Sequence, residues 1–315
     1  MKKKEVSTRG VILRELIASW NSLDFVKKRG TTNGIRKKIT EPTWKVPDGY
    51  AVVEVEREHY KGEWFQDEMV HFEGREKYVI LQLHGGGYVG ALKNTYRSSA
   101  LLYNKASKGM PVFSIDYRVA PENPFPAALE DAYDAYCFLH ERKFDSNQIV
   151  LAGDSAGGGL AMALCHLLIQ KNEELPAGII AMSPWTDLTA TADSYQDNYE
   201  LDPLFGNSRD TLLYNSPYIG DEDPRNPLIS PLFGNFHGFP PMLLQVGDHE
   251  MLLDDTLSVA KKAKEQGVKV RKSVYKGMFH VFQMAMLLLP ESRKAWIEVS
   301  KFLEKIMLEV EPEKE

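Results

Sequence analysis

Gly153-Asp154-Ser155-Ala156-Gly157 is a G-x-S-x-G run, a pattern that can turn a serine hydroxyl into a nucleophile. It follows the apolar run Ile149–Ala152 and opens a helix-like segment, Ala156–Gln170. On a sharp strand-to-helix turn the hydroxyl projects from the sheet. The helix start then offers positive potential to a developing anion. The flanking glycines let neighbouring chain approach closely. The blander readings are a glycine-rich turn, or a phosphate cradle at a helix N-terminus. A second run, His84-Gly85-Gly86-Gly87, comes straight after the apolar stretch Tyr78–Leu83. Successive glycines allow backbone N–H groups to converge on one acceptor, as an oxyanion hole requires. Gly86, Gly87 and Ala156 are the preferred donors, with Gly85 taking over if the register slips. The blander reading is a flexible turn. The glycine spacing of a dinucleotide fingerprint is missing. His84 sits at a strand end beside the donors and is expected to be structural.

These residues need a scaffold. From residue 78 onward, buried-strand runs alternate with helix-like segments. The strand runs are Tyr78–Leu83, Val112–Asp116, Ile149–Ala152, Ile179–Met182, Met242–Val246 and Val270–Tyr275. The helical ones are Ser98–Ser107, Ala127–His140, Ala156–Gln170 and Leu253–Glu265, with a closing helix over Arg293–Leu308. Alternation of this kind predicts a parallel sheet covered on both faces, joined by right-handed crossovers. Tyr50–Val55 and Trp64–Val70 are expected to form an antiparallel edge. The rhythm breaks from Leu188 to Phe239, a stretch rich in Asp, Asn, Pro and aromatic residues. Long irregular insertions are usually lids or binding loops. The expected division is an N-terminal cap part over 1–45, core over 46–187 and 240–315, and a cap insertion over 188–239.

A hydroxyl nucleophile needs a base. On an α/β-hydrolase scaffold the chain order is serine, acid, histidine. His166, His237, His249 and His280 come after Ser155. His166 lies inside a helix and His237 in the insertion, while His249 shares its loop with the acid candidates. His280 follows the strand run Val270–Tyr275 through a short loop, which puts it on the rim with Ser155. The acid should come after Met242–Val246, where Asp248, Glu250, Asp254 and Asp255 compete.

Taken in order, several blocks resemble the hormone-sensitive-lipase-like esterases of the α/β-hydrolase superfamily. They are His84–Gly87, Asp116-Tyr117-Arg118-Val119-Ala120-Pro121-Glu122, Phe125–Asp131, Gly153–Gly158, Ser183-Pro184-Trp185-Thr186-Asp187-Leu188 and Gly277-Met278-Phe279-His280. The likeness runs over roughly residues 78–300 and is weakest in the first 45 residues and the insertion. It implies an α/β-hydrolase fold with a mostly parallel sheet of about eight strands and a helical cap. It also implies that Glu250 opens the family's acid-x-Leu-x-x-Asp run. Many members carry Asp there, which leaves Asp248 as second choice. Asp202-Pro203-Leu204 spells the family's acid motif but precedes the right strand, and is set aside.

The implied activity is a serine carboxylesterase acting on short- to medium-chain acyl esters, with Ser155 as nucleophile, His280 as base and Glu250 as acid. Deacetylation and lactone opening share the mechanism. A non-catalytic small-molecule receptor on the same fold is the reading from another class. No cofactor and no metal are implied.

The rest of the chain narrows the choice. It has 315 residues, with 38 basic against 44 acidic side chains, a net charge of -6. That balance lacks the basic stripe of a nucleic-acid partner. Cys137 and Cys165 lie in apolar helical runs and are expected to be buried thiols. Lys2-Lys3-Lys4 opens like a signal segment, but Arg14, Glu15 and Asn21 break up the apolar stretch that such a segment needs. No apolar stretch is long enough to span a membrane. A cytoplasmic location without stable membrane association is expected, and a homodimer is conceivable. The apolar run within Met278–Leu289 is expected to be a buried helix start. Arg118 and Glu122 are expected to be an ion pair or loop anchor, and Asp154 to orient a neighbouring loop. Trp185, Tyr195, Tyr199 and Phe205 are pocket candidates.

Overall fold

A computed structural model describes residues 6–21, 41–68 and 77–310. The expected strand end at residues 69–70 and much of the N-terminal cap part lie outside these. The described residues form an eight-stranded sheet in the order β1-β2-β4-β3-β5-β6-β7-β8. Its strands are β1 Tyr50–Glu56, β2 Lys61–Asp67, β3 Val79–Leu83, β4 Val112–Asp116, β5 Ile149–Asp154, β6 Gly178–Met182, β7 Met242–Gly247 and β8 Val270–Tyr275. β1 and β2 pair antiparallel at one edge, and β2 joins β4 antiparallel. From β4 through β8 the pairing is parallel.

The helices are α1 Thr8–Asn21, α2 Asn94–Ala106, α3 Ala127–Glu141, α4 Ala156–Lys171, α5 Ser194–Asp197, α6 Leu253–Glu265 and α7 Pro290–Val310. They cover both faces of the sheet, so the central strands are buried on both sides. Every residue of β3, β5, β6 and β7 is buried. This is why they read as unbroken apolar runs rather than as alternation. One core packs α3 and α4 against Leu81, Leu83, Leu151 and Ile179. The other packs α2 and α7 against Ile80, Val150, Ile180 and Leu243.

Between β6 and β7 the chain is mostly turns. It holds the four-residue α5 and a single 3-10 turn, Pro231–Phe233. α1 reaches this insertion through a hydrogen bond from Asn21 Nδ2 to the Pro203 carbonyl. It reaches the loop after β8 through Arg14 Nη1, which donates to the Gly277 carbonyl at 3.2 Å. Residues Phe282–Leu288 form a 3-10 helix. Phe282 and Leu289 are buried there, but Leu288 is 70% exposed, so the expected buried helix start holds only in part. Cys165 is buried and Cys137 half-buried. Arg118 pairs with Asp131 at 2.7 Å and Glu130 at 3.1 Å, which anchors the loop after β4 to α3. Among the described residues no helix is long and apolar enough to cross a membrane, and no cluster suited to a metal ion is found.

Candidate active site

Ser155 stands on the turn between β5 and α4 with φ 52° and ψ −121°. An L residue at such a positive φ is strained and persists only where its surroundings over-determine it. Here they do. The Ser155 N–H donates to the Met182 carbonyl at 2.9 Å, and its own carbonyl accepts from Trp185 N–H at 2.9 Å. Gly157 lets α4 start against β3. A Cβ there would lie 2.0 Å from the Leu83 carbonyl oxygen and 2.5 Å from that of His84. The strain and the close approach together aim the hydroxyl over the carboxyl ends of the parallel strands.

His280 comes from the loop after β8. Its Nε2 lies 2.9 Å from Ser155 Oγ and its Nδ1 lies 3.0 Å from Glu250 Oε2. All three side chains are buried. Glu250 Oε1 accepts from Ser183 Oγ at 2.9 Å and from the Gly247 N–H. Ser183 Oγ in turn accepts the Val281 N–H at 3.1 Å. Glu250 is therefore held from the ends of both β6 and β7.

The competing carboxylates are engaged elsewhere. Asp248 Oδ1 accepts the Gly277 N–H at 2.6 Å and lies 2.7 Å from His249 Nδ1, so it braces the histidine loop without touching His280. Asp254 Oδ2 accepts the Ser194 N–H at 2.8 Å, and Asp255 Oδ2 accepts the N–H groups of Thr186 at 2.7 Å and Asp187 at 2.8 Å. The other histidines also have settled places. His166 is buried between Phe236 and Phe239, its Nε2 3.1 Å from the Pro231 carbonyl, and His237 is exposed. His84 stacks on Tyr117 with ring centroids 4.1 Å apart.

The glycine loop after β3 separates into two roles. The Gly85 N–H donates to Asp154 Oδ1 at 3.2 Å, so it is committed to the elbow. Gly86 and Gly87 have φ 108° and 63°, in the left-handed region that favours glycine. Among the described residues no acceptor takes the N–H of Gly86, Gly87 or Ala156.

Burial works against charge throughout. On His280 it opposes the imidazolium. The hydrogen bond and charge of Glu250, helped by Asp202 and Asp154, outweigh it and hold the imidazole above its ordinary value. Burial lifts the Glu250 carboxyl, against the opposing pull of His280. It pushes Asp154 up to about 7. A serine hydroxyl donating to Nε2, with Nδ1–H donating to a carboxylate, is the arrangement of a general-base-activated nucleophile.

A family described as having the alpha/beta hydrolase fold matches residues 80–284. The chain is an α/β hydrolase of the hormone-sensitive-lipase-like group. This α/β hydrolase is 37% identical over 225 residues to an esterase of Acinetobacter venetianus, covering 71% of this chain and 74% of the relative. It is 37% identical over 242 residues to an acetyl-hydrolase of Streptomyces hygroscopicus, covering 77% and 78%. A crystal structure of an esterase from the bacterial hormone-sensitive lipase family superposes with a TM-score of 0.82 at 32% identity, covering 98% of this chain and 100% of that one.

Sequence reasoning misses three polar side chains around the α/β hydrolase's Glu250 turn. Ser183 lies in one of the family-like blocks, which by itself assigns it no role. Asn198 carries no signal in the sequence. Asp202 reads only as a rival acid, and it is buried with its Oδ2 accepting the Met251 N–H at 2.8 Å. Of the aromatic candidates, Trp185 and Tyr195 are core residues. Phe205 stands edge-on to His280 with centroids 5.1 Å apart.

Proposed function

We propose that the protein is a serine carboxylesterase whose triad is Ser155, His280 and Glu250. The observation that carries this reading is the unbroken chain of contacts, 2.9 Å from Ser155 Oγ to His280 Nε2 and 3.0 Å from His280 Nδ1 to Glu250 Oε2. Ser155 Oγ attacks the ester carbonyl carbon while Nε2 takes the hydroxyl proton. The carbonyl oxygen becomes an anion and draws on the N–H groups of Gly86, Gly87 and Ala156. The C–O bond to the alcohol breaks as Nε2 returns the proton to the leaving oxygen. Water then repeats the sequence on the acyl-enzyme and frees the acid. Glu250 stays ionised, keeps the proton of the neutral imidazole on Nδ1 and stabilises the imidazolium.

Short acyl groups are the substrates we favour. A cavity of about 200 Å³ lies between α1 and the insertion, lined by Ala18, Asn21, Leu204 and Thr211 among others. Its wall at Leu204 and Gly206 brackets Phe205, which contacts His280. No triad residue lines this cavity, nor either of two larger grooves, of about 360 and 280 Å³, along β8 and α7. The Streptomyces relative, named an acetyl-hydrolase, supports the same choice. Hydrolysis of p-nitrophenyl acetate, butyrate and longer esters tests the reading. Turnover highest for the short esters is expected; no turnover on any ester would sink the esterase reading and favour a receptor.

A further inference from the structure

The insertion between β6 and β7 is fastened to the turn carrying Glu250 by side chains that the reaction above does not use. Asp202 is the node, and only 2% of it is exposed. Its Oδ2 accepts the Met251 N–H at 2.8 Å. Its Oδ1 accepts the N–H groups of Leu204 at 2.8 Å and Phe205 at 3.0 Å. Met251 directly follows Glu250, and Phe205 stands against the His280 ring with the two planes at 70°. Asn198 strengthens the same link. Its Nδ2 donates to the carbonyls of Glu250 at 2.7 Å and Asp248 at 3.1 Å, and its own carbonyl accepts the Asp202 N–H at 2.9 Å.

We propose that Asp202 is a positioning residue for the triad, one carboxylate that fixes both the Glu250 turn and the Phe205 ring and so confines His280 between them. The inference deepens the esterase reading and rests on it for its kinetic test alone. A buried carboxylate is costly unless donors surround it, and three backbone N–H groups do so here. A local turn cap would account for Oδ1 but not for Oδ2, whose donor lies 49 residues away. The carboxylates facing His280 come from three elements: Glu250 from the turn after β7, Asp202 from the insertion and Asp154 from the elbow. Asp202 therefore also favours the protonated imidazole by its charge.

The test compares Asp202→Asn with Asp254→Asn. Asp254 ties the same insertion to the start of α6 through Ser194 but touches neither Glu250 nor Phe205. An asparagine at position 202 cannot accept on both sides and carries no charge. Asp202→Asn is expected to lower kcat on p-nitrophenyl acetate about 100-fold with KM nearly unchanged, as for misplaced catalytic groups. The titration of His280, followed by ring-nitrogen NMR, is expected to move to lower pH. Asp254→Asn is expected to lower the thermal midpoint and leave kcat and the titration in place. Wild-type kcat and an unmoved titration in Asp202→Asn would overturn the proposal. So would equal kcat losses in the two variants with neither titration shifted, which is the signature of structural damage alone. The NMR arm needs no turnover, so an inactive wild type would sink the esterase reading while the titration still judges Asp202. If Asp202→Asn does not fold, Phe205→Leu removes one arm of the grip. It is expected to cost about tenfold in kcat, and wild-type kcat in it would contradict the proposal.

Discussion

Replacing Glu250 by glutamine changes one oxygen for an amide and should nearly abolish turnover. The surroundings decide which way that amide faces. Ser183 Oγ accepts the Val281 N–H, so its own proton is free for Oε1, and the Gly247 N–H points at the same atom. Two donors there demand the amide oxygen at the Oε1 position. The NH2 group is then forced towards His280 Nδ1, where a donor meets the atom that should itself donate. The neutral imidazole must shift its proton to Nε2. Nε2 can then no longer accept the Ser155 hydroxyl 2.9 Å away. A triad locked in the wrong tautomer loses about four orders of magnitude in kcat, or about 5 kcal/mol of barrier. Asp248→Asn should do far less, because Asp248 braces the Gly277 N–H and does not touch His280. Steady-state hydrolysis of p-nitrophenyl acetate by both variants, with circular dichroism to verify folding, measures the contrast. A folded Glu250→Gln within tenfold of wild type beside an inactive Asp248→Asn would refute the tautomer argument and move the acid to Asp248.

The same contacts dictate three further outcomes. Because Glu250, Asp202 and Asp154 hold the His280 imidazole above its ordinary 6.5, kcat/KM should fall as pH drops through a midpoint above that value. A profile flat from about pH 5 to 8, with chemistry limiting, would count against a histidine base. Ser183→Ala removes a hydrogen bond to a charged oxygen and strands the Val281 N–H beside His280. A loss of about 1.5–3 kcal/mol, or roughly 10- to 150-fold in kcat, is expected, and an unchanged rate would show that Gly247 alone secures Glu250. Burial raises Asp154 from 3.8 to about 7, so between those values the folded protein keeps a proton that the unfolded chain releases. Stability should therefore fall as pH rises through that window. Asp154→Asn, which can still accept the Gly85 N–H, should gain an advantage that grows to at most about 4 kcal/mol near pH 7 and then levels off. Urea midpoints for both proteins at several pH values check this, and a constant difference would contradict it.

The alternating core is legible in the sequence because parallel strands buried on both faces leave unbroken apolar runs. Val112–Asp116 and Val270–Tyr275 are delimited to the residue, but β8 is the sheet's far edge with no buried residue rather than the buried strand expected, and β5 and β7 end slightly later than expected. The elbow and the glycine loop are legible because backbone strain and close approach restrict which residues fit. His280 can be read from its place after the last strand. Glu250 needs the family likeness, since four carboxylates in nine residues look alike until their hydrogen bonds are known. Ser183, Asn198 and Asp202 are hidden for a different reason. Their partners lie 49 to 67 residues away, and no periodicity marks such a contact. The antiparallel edge is anticipated, but not the pairing of β2 with β4, because pairing across a sheet edge leaves little trace in local pattern.

The central claim is that Ser155 is the residue that takes the acyl group. Hydrolysis of p-nitrophenyl acetate by wild type and Ser155→Ala, side by side, tests it most directly. Turnover by the wild type and only background release by the variant is the predicted result. Equal turnover by the two proteins would contradict it, and so would a wild type that releases no more p-nitrophenol than buffer.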